Sequence, residues 1–207
     1  MGVPMGLQFS ITAIGSMTMQ SANNSLGTIY VSGFTAGMRI KSLMMCPFYA
    51  LGAAVSTFLS QNYGAFKLDR IRDGYHKGVM VSILYGAFAC VVMVFFGRIL
   101  SMMFVSANES QVLNASALYL RRMGYFYPVL GILITTRMSV QGLGYSARAM
   151  LAGFVEMIAR CIVALCFVPI FKYNAITWAD QAAWVAATLV LIPLWVSAMR
   201  AVQKKMS

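Results

Sequence analysis

Apolar positions in this chain fall in long unbroken runs, not in the alternation that marks strands or the short segments of a membrane barrel. Residues 43–59 and 79–97 hold no charged residue, and the second run alone supplies 19 positions, enough to cross a bilayer as a helix. Between them sits the densest cluster of charge in the chain: Lys67, Asp69, Arg70, Arg72, Asp73, His76 and Lys77. That contrast reads as a water-exposed hinge between two spans. Extended along the chain, the same pattern predicts six transmembrane helices, at about 5–27, 40–63, 79–97, 118–143, 150–171 and 181–199. Residues 28–41 read as a turn and a short amphipathic piece carrying Arg39 and Lys41, and residues 98–113 and 172–180 as connections. Pro47 marks an expected kink in the second span.

Composition narrows the class. The chain is 60% hydrophobic and 10% charged, with mean hydropathy +0.74. Soluble domains carry about 25% charged residues, and this chain has too few to form a polar shell. The expectation is an all-α integral membrane protein whose six spans form a single lobe over residues 1–207. The net charge of +11 does not point to nucleic acid, because the 16 basic residues are scattered at loops and span ends. It fits retention of positive loops in the cytoplasm instead. Eight basic residues (Lys67, Arg70, Arg72, Lys77, Arg148, Arg200, Lys204, Lys205) fall on one side and six on the other (Arg39, Lys41, Arg98, Arg121, Arg122, Lys172). That bias places the hinge and both termini in the cytoplasm of a cell (inner or plasma) membrane. The opening residues carry no basic region of a cleavable signal. Cys46, Cys90, Cys161 and Cys166 lie in apolar runs without metal-ligand or disulfide spacing and read as buried small hydrophobes.

Candidate chemistry is sparse. No phosphate loop, histidine cluster or Ser/His/Asp set is present, so neither an enzyme nor a metal or cofactor site is expected, and His76 reads as a solvated residue. The first span is unusually polar, with Gln8, Thr12, Ser16, Gln20, Asn23 and Asn24 among others. Either interhelical hydrogen bonds or the wall of a cavity accounts for that. Arg137, Glu156 and Arg160 lie inside spans, where an unpaired charge costs about 3 kcal/mol. Glu156 and Arg160 stand four apart, on one helix face, which permits an internal ion pair or a cation-coupling site. Glu156 reads as the only intramembrane carboxylate. Asn62 and Gly64 read as helix terminators, whereas Gln61 and Gln141 are candidates for cavity contacts.

These residues carry a resemblance to the multidrug and toxic compound extrusion (MATE) transporters. It rests on Gly2-Val-Pro-Met-Gly-Leu, Gln20 to Gly27, Pro47 to Gly52, Ser60-Gln-Asn-Tyr-Gly-Ala, Asp69-Arg-Ile-Arg, Arg137-Met-Ser-Val-Gln-Gly-Leu-Gly and Glu156 to Arg160. The resemblance implies one of two six-helix lobes, the second. It implies export of organic or cationic drugs in exchange for Na⁺ or H⁺ as the coupling ion. It also implies a partner, either a complementary N-terminal lobe or a second half-transporter, within membrane lipid. Gln20, Asn23, Gln61, Arg137, Gln141, Glu156 and Arg160 become the candidate substrate- or ion-binding residues. The chain departs from the family pattern at Thr12, where one subgroup carries a carboxylate, and lacks an acidic residue in the tenth helix. Two other readings stay open: a truncated inactive fragment, and an uncoupled six-helix membrane protein or channel.

Overall fold

The computed structural model describes the backbone of residues 2–206 and the side chains of 6–8 and 10–206. Met1 and the side chains of Val3, Pro4 and Met5, part of the opening motif, lie outside the described residues. Every regular element among them is helical: α1 (Gly2–Asn24), α2 (Thr28–Gly64), α3 (Leu68–Ser101), α4 (Ser110–Gly124), α5 (Tyr127–Gly142) and α6 (Ser146–Ile162). A π-helical turn (Val163–Phe167), α7 (Val168–Phe171) and α8 (Tyr173–Met206) complete the chain. Because α4 and α5 form one interrupted passage and α6, the π turn and α7 another, the described residues make six helical passages. Among the described residues four segments are long and apolar enough to cross a membrane: Thr28–Gly64, Leu68–Ser101, Ser146–Phe171 and Tyr173–Met206.

Several boundaries differ from the sequence expectation, each for a local reason. Residues 28–41 are not a turn but the opening of α2, because Gly33, Phe34, Gly37, Ile40 and Lys41 form a helical stripe that packs inward. The charged hinge shrinks to residues 65–67, and Asp69 to Lys77 lie in the first turns of α3. Helix α2 ends at Gly64, one of the two expected terminators, but neither Asn62 nor Gly64 is left-handed. The left-handed position is Phe66 (φ 54°), and the Lys67 N–H closes the turn by donating to the Asn62 carbonyl at 2.9 Å. The span expected at 118–143 is broken at Tyr125–Phe126, with Pro128 in the first turn of α5, where its missing N–H costs nothing. The π turn precedes Pro169, whose ring cannot continue the regular hydrogen-bond ladder. Residues 173–180 are helical, not a loop.

Packing follows from small residues. Helix α1 lies on α6, α6 on α8, and α8 reaches α5 and α4, which pack with α2 and α3. Gly86 brings α3 against the backbone of Pro128, and Gly131 brings α5 against Ser82, the close approach that drives helix association in lipid. Phe48, Tyr119, Tyr127 and Trp184 fill the core. Phe95, Leu165 and Ile170 face outward at 70% exposure or more. This inverted polarity suits lipid as the surrounding solvent. The cysteines also differ from expectation: Cys46 and Cys166 are exposed, Cys90 and Cys161 partly so, and all four are free. Cys46 and Cys166 sit on the outward apolar surface, where a small weakly polar thiol is tolerated.

Candidate functional site: a buried charge network across five helices

The polar first span satisfies most of its hydroxyls locally. Thr12, Ser16 and Thr18 donate to the carbonyls one turn back, at Gln8, Thr12 and Ile14. One of its polar contacts with another passage is an amide pair, Gln141 Nε2 donating to Gln8 Oε1 at 2.8 Å, both side chains buried. Close approach of α1 to α6 is permitted by Gly15, which faces Met157 and Arg160, and by Gly153, which faces Gln8.

From α6 the charges extend through the bundle. Glu156 Oε2 accepts from Arg160 Nη1 at 3.2 Å, one turn away on the same helix. Glu156 Oε1 accepts from Arg137 Nη2 on α5. Arg160 then directs its Nε to Asp180 Oδ1 on α8 at 3.1 Å. Asp180 Oδ2 accepts from Lys41 Nζ on α2 at 2.6 Å and from the Tyr119 hydroxyl on α4 at 2.7 Å. The Lys41 ammonium lies 5.4 Å from the centre of the Trp184 ring, a cation–π contact. The Tyr127 hydroxyl donates to the Lys41 carbonyl at 3.3 Å.

The result is a continuous chain, Arg137–Glu156–Arg160–Asp180–Lys41, whose side chains are 4 to 13% exposed. Buried charges are tolerated only when paired and hydrogen-bonded, and each carboxylate oxygen here has a cationic donor. Donors outnumber acceptors, however: the Arg137 Nε is buried with no hydrogen-bond partner. Beside Lys41, Arg160 and Asp180 a cavity edged by Ser16, Met19 and Met38 has about 10 Å³ for solvent, room for about one water molecule. A drug-sized ligand needs about 300 Å³ or more, so this cavity alone cannot hold one.

The expectation that Glu156 is the only intramembrane carboxylate is corrected by Asp180. A presumed loop hid it, and Lys41 was hidden by a presumed turn. Both are legible in hindsight: Lys41 continues the stripe of Phe34, Gly37 and Phe48, and Asp180 that of Tyr173, Ile176, Thr177 and Trp184. Of the sequence candidates, Arg137, Glu156 and Arg160 converge, and Gln141 lies one turn beyond Arg137 on α5. The others do not join them. Gln20 donates to Asn24 on its own helix at 3.2 Å. Asn23 is buried at the α1–α2 turn, its Nδ2 donating to the Tyr30 carbonyl at 3.4 Å. Gln61 is exposed at the end of α2, away from the network.

Residues 4–166 match the family model of MatE. The chain belongs to the MatE family. It is 30% identical over 132 residues to the probable multidrug resistance protein YpnP of Bacillus subtilis, covering 64% of this chain and 29% of that protein. It is 22% identical over 172 residues to the probable multidrug resistance protein NorM of Thermotoga maritima, covering 83% of this chain and 37% of that protein. Among solved structures, a multidrug resistance MATE family transporter in an outward-facing conformation superposes with TM-score 0.90 at 16% identity. That superposition covers 98% of this chain and 46% of the transporter. The MatE chain therefore spans less than half the length of these relatives, and the likeness to the solved structure establishes the fold. As a MatE protein with several helices able to span a bilayer, the chain is a membrane protein.

Proposed function

We propose that this chain is one lobe, the second, of a multidrug exporter that moves organic substrates against a flow of Na⁺ or H⁺. The observation that carries the proposal is the superposition: nearly the whole chain matches slightly less than half of a MATE family transporter, as one lobe of two would. The lobe supplies a wall built on α1, α5 and α6, with Gln141 and the Arg137–Glu156–Arg160 chain behind it. A complementary lobe, on the same polypeptide or another, closes the drug cavity against that wall. Both oxygens of Glu156 and both of Asp180 already have cationic donors, so the coupling ion binds mainly in the other lobe.

The lobe sits in the cell membrane with its more basic end in the cytoplasm. Support comes from the meeting of α3 and α8 at that end, where Arg72 Nη2 donates to Gln203 Oε1 at 3.0 Å and Tyr75 stacks on Trp195. Lys67, Arg70, Arg200, Lys204 and Lys205 cluster around this meeting.

The test is co-expression with a complementary MatE lobe in cells lacking their own efflux pumps, followed by release of a preloaded fluorescent dye. Export that collapses when the Na⁺ or H⁺ gradient is dissipated supports the reading. Dye loss that ignores both gradients points to a channel, and no dye loss above empty vector sinks the transport reading.

A further inference from the structure

The charge network does not balance. Among the described residues it joins three cationic side chains, Lys41, Arg137 and Arg160, to two carboxylates, Glu156 and Asp180. The surplus is not spread evenly. Asp180 takes donors from Lys41, Arg160 and Tyr119, so that end of the chain is well supplied with contacts. At the other end Arg137 has one carboxylate oxygen for its whole guanidinium, and its Nε is buried without an acceptor. Arg137 is also the most exposed member, its side chain at 13% against 11% for Asp180 and 10% for Lys41. A guanidinium presents its donors as a planar fork that matches a carboxylate, and a buried donor without an acceptor costs stability until one arrives.

We infer that the Arg137 end of this network is a binding site for the anionic group of an organic acid, so that the lobe selects substrates bearing a carboxylate over purely cationic ones. This rests on the transporter reading for its biological sense, since it names the substrate class of that cavity wall. It does not need the reading for its chemistry. A cationic ligand approaching the same wall meets a net positive cluster of low exposure, where repulsion is weakly screened.

The test uses the full chain in phosphatidylcholine nanodiscs and equilibrium dialysis, with empty discs as background. Three probes share one biphenyl body: 4-phenylbenzoate, its neutral carboxamide, and 4-phenylbenzylammonium. The wild-type chain is expected to bind the carboxylate about tenfold or more tightly than the amide, and the ammonium weakest. Arg137→Gln removes the surplus and is expected to bring the carboxylate-to-amide ratio to within about twofold. Glu156→Gln frees further guanidinium donors and is expected to raise it. Equal affinity of the wild-type chain for all three probes, or preference for the ammonium, overturns the inference even if neither variant folds. A preference that survives R137Q overturns it too, as does a ratio that falls in E156Q. Repeating the titration in phosphatidylglycerol discs separates sources: a substrate site keeps its affinity, whereas displacement of the probe assigns the anion to a lipid headgroup and overturns the substrate assignment. Probe preference without dye export in the co-expression assay fails the transport reading alone, and export without preference fails this inference alone.

Discussion

Replacing Asp180 by asparagine should be the most damaging conservative change in the lobe. The side chain keeps its shape, but the carboxylate that accepts from Lys41 at 2.6 Å, Tyr119 at 2.7 Å and Arg160 at 3.1 Å becomes a neutral amide. Lys41 and Arg160 then face each other without an anion between them, and one end of the amide is a donor pointed at donors. Removing one partner of a buried ion pair costs about 3–5 kcal/mol. For a chain of this size, about 2–4 °C is lost per kcal/mol, so D180N should melt about 6–20 °C below the parent. Lys41→Met is expected to cost less. It leaves Asp180 with Arg160 and Tyr119 and lowers the net positive charge of the network, while the methionine still packs on Trp184. The double variant K41M/D180N should fall short of the sum of the singles by about 0.5–3 kcal/mol, because the methionine has no charge to strand. Thermal unfolding of the purified chain in one detergent, followed by tryptophan fluorescence, gives all four values. The reasoning fails if D180N lies within about 1 kcal/mol of the parent, if K41M is the worse variant, or if the singles add to within about 0.5 kcal/mol.

Gln141→Leu should cost about 1–3 kcal/mol by leaving the buried Gln8 amide without a partner, and adding Gln8→Leu should recover most of that loss; melting of the singles and the double checks it. Gly86→Ala should cost about 1–3 kcal/mol, since a β-carbon there would lie 2.7 Å from Pro128 Cα on a backbone that cannot swing aside. Gly64→Ala, with nothing within 4 Å, is the control expected to melt with the parent. Gly27→Ala also meets nothing within 4 Å, yet the φ of 101° and ψ of 163° are a glycine conformation, so a loss of about 1–3 kcal/mol is expected from the backbone alone. Equal melting of G27A and G64A would refute that.

The membrane class, the helical architecture and the pairing of Glu156 with Arg160 were all accessible from the sequence, because each rests on local pattern. Apolar run length fixes a span, and a four-residue offset fixes a shared face. The carboxylate at Asp180 was not, and the reason is physical. A rule that ends a span at a charge assumes the charge meets water, but Lys41 and Asp180 meet each other across 139 positions of sequence. The same assumption misplaced the start of α2 and the start of α8. Conversely, the hydroxyls of α1 looked like material for a cavity wall, and most are satisfied by carbonyls of their own helix, which composition alone cannot reveal. Gln61 looked similar to Gln141 in the sequence, but only Gln141 has a buried partner.

The placement of the network bears on how the lobe moves. Its members come from α2, α4, α5, α6 and α8, while α1 contributes no charge and contacts α2 only sparsely. Helices α1 and α6 pack together through Gly15 and Gly153, so the pair is held to the rest of the lobe largely through α8 and through the ion contacts of α6. Those contacts are directional and distance-sensitive in a way that apolar packing is not. A shift of α6 by even part of a turn would separate Arg137 from Glu156 and Arg160 from Asp180 together, stranding charges of both signs in a low-dielectric interior. Small displacements are therefore opposed steeply unless another group replaces the lost partner. The network thus favours a lobe that moves as one body while it is intact. The unfilled donor capacity of Arg137 marks the end at which an arriving acceptor is best placed to change that balance.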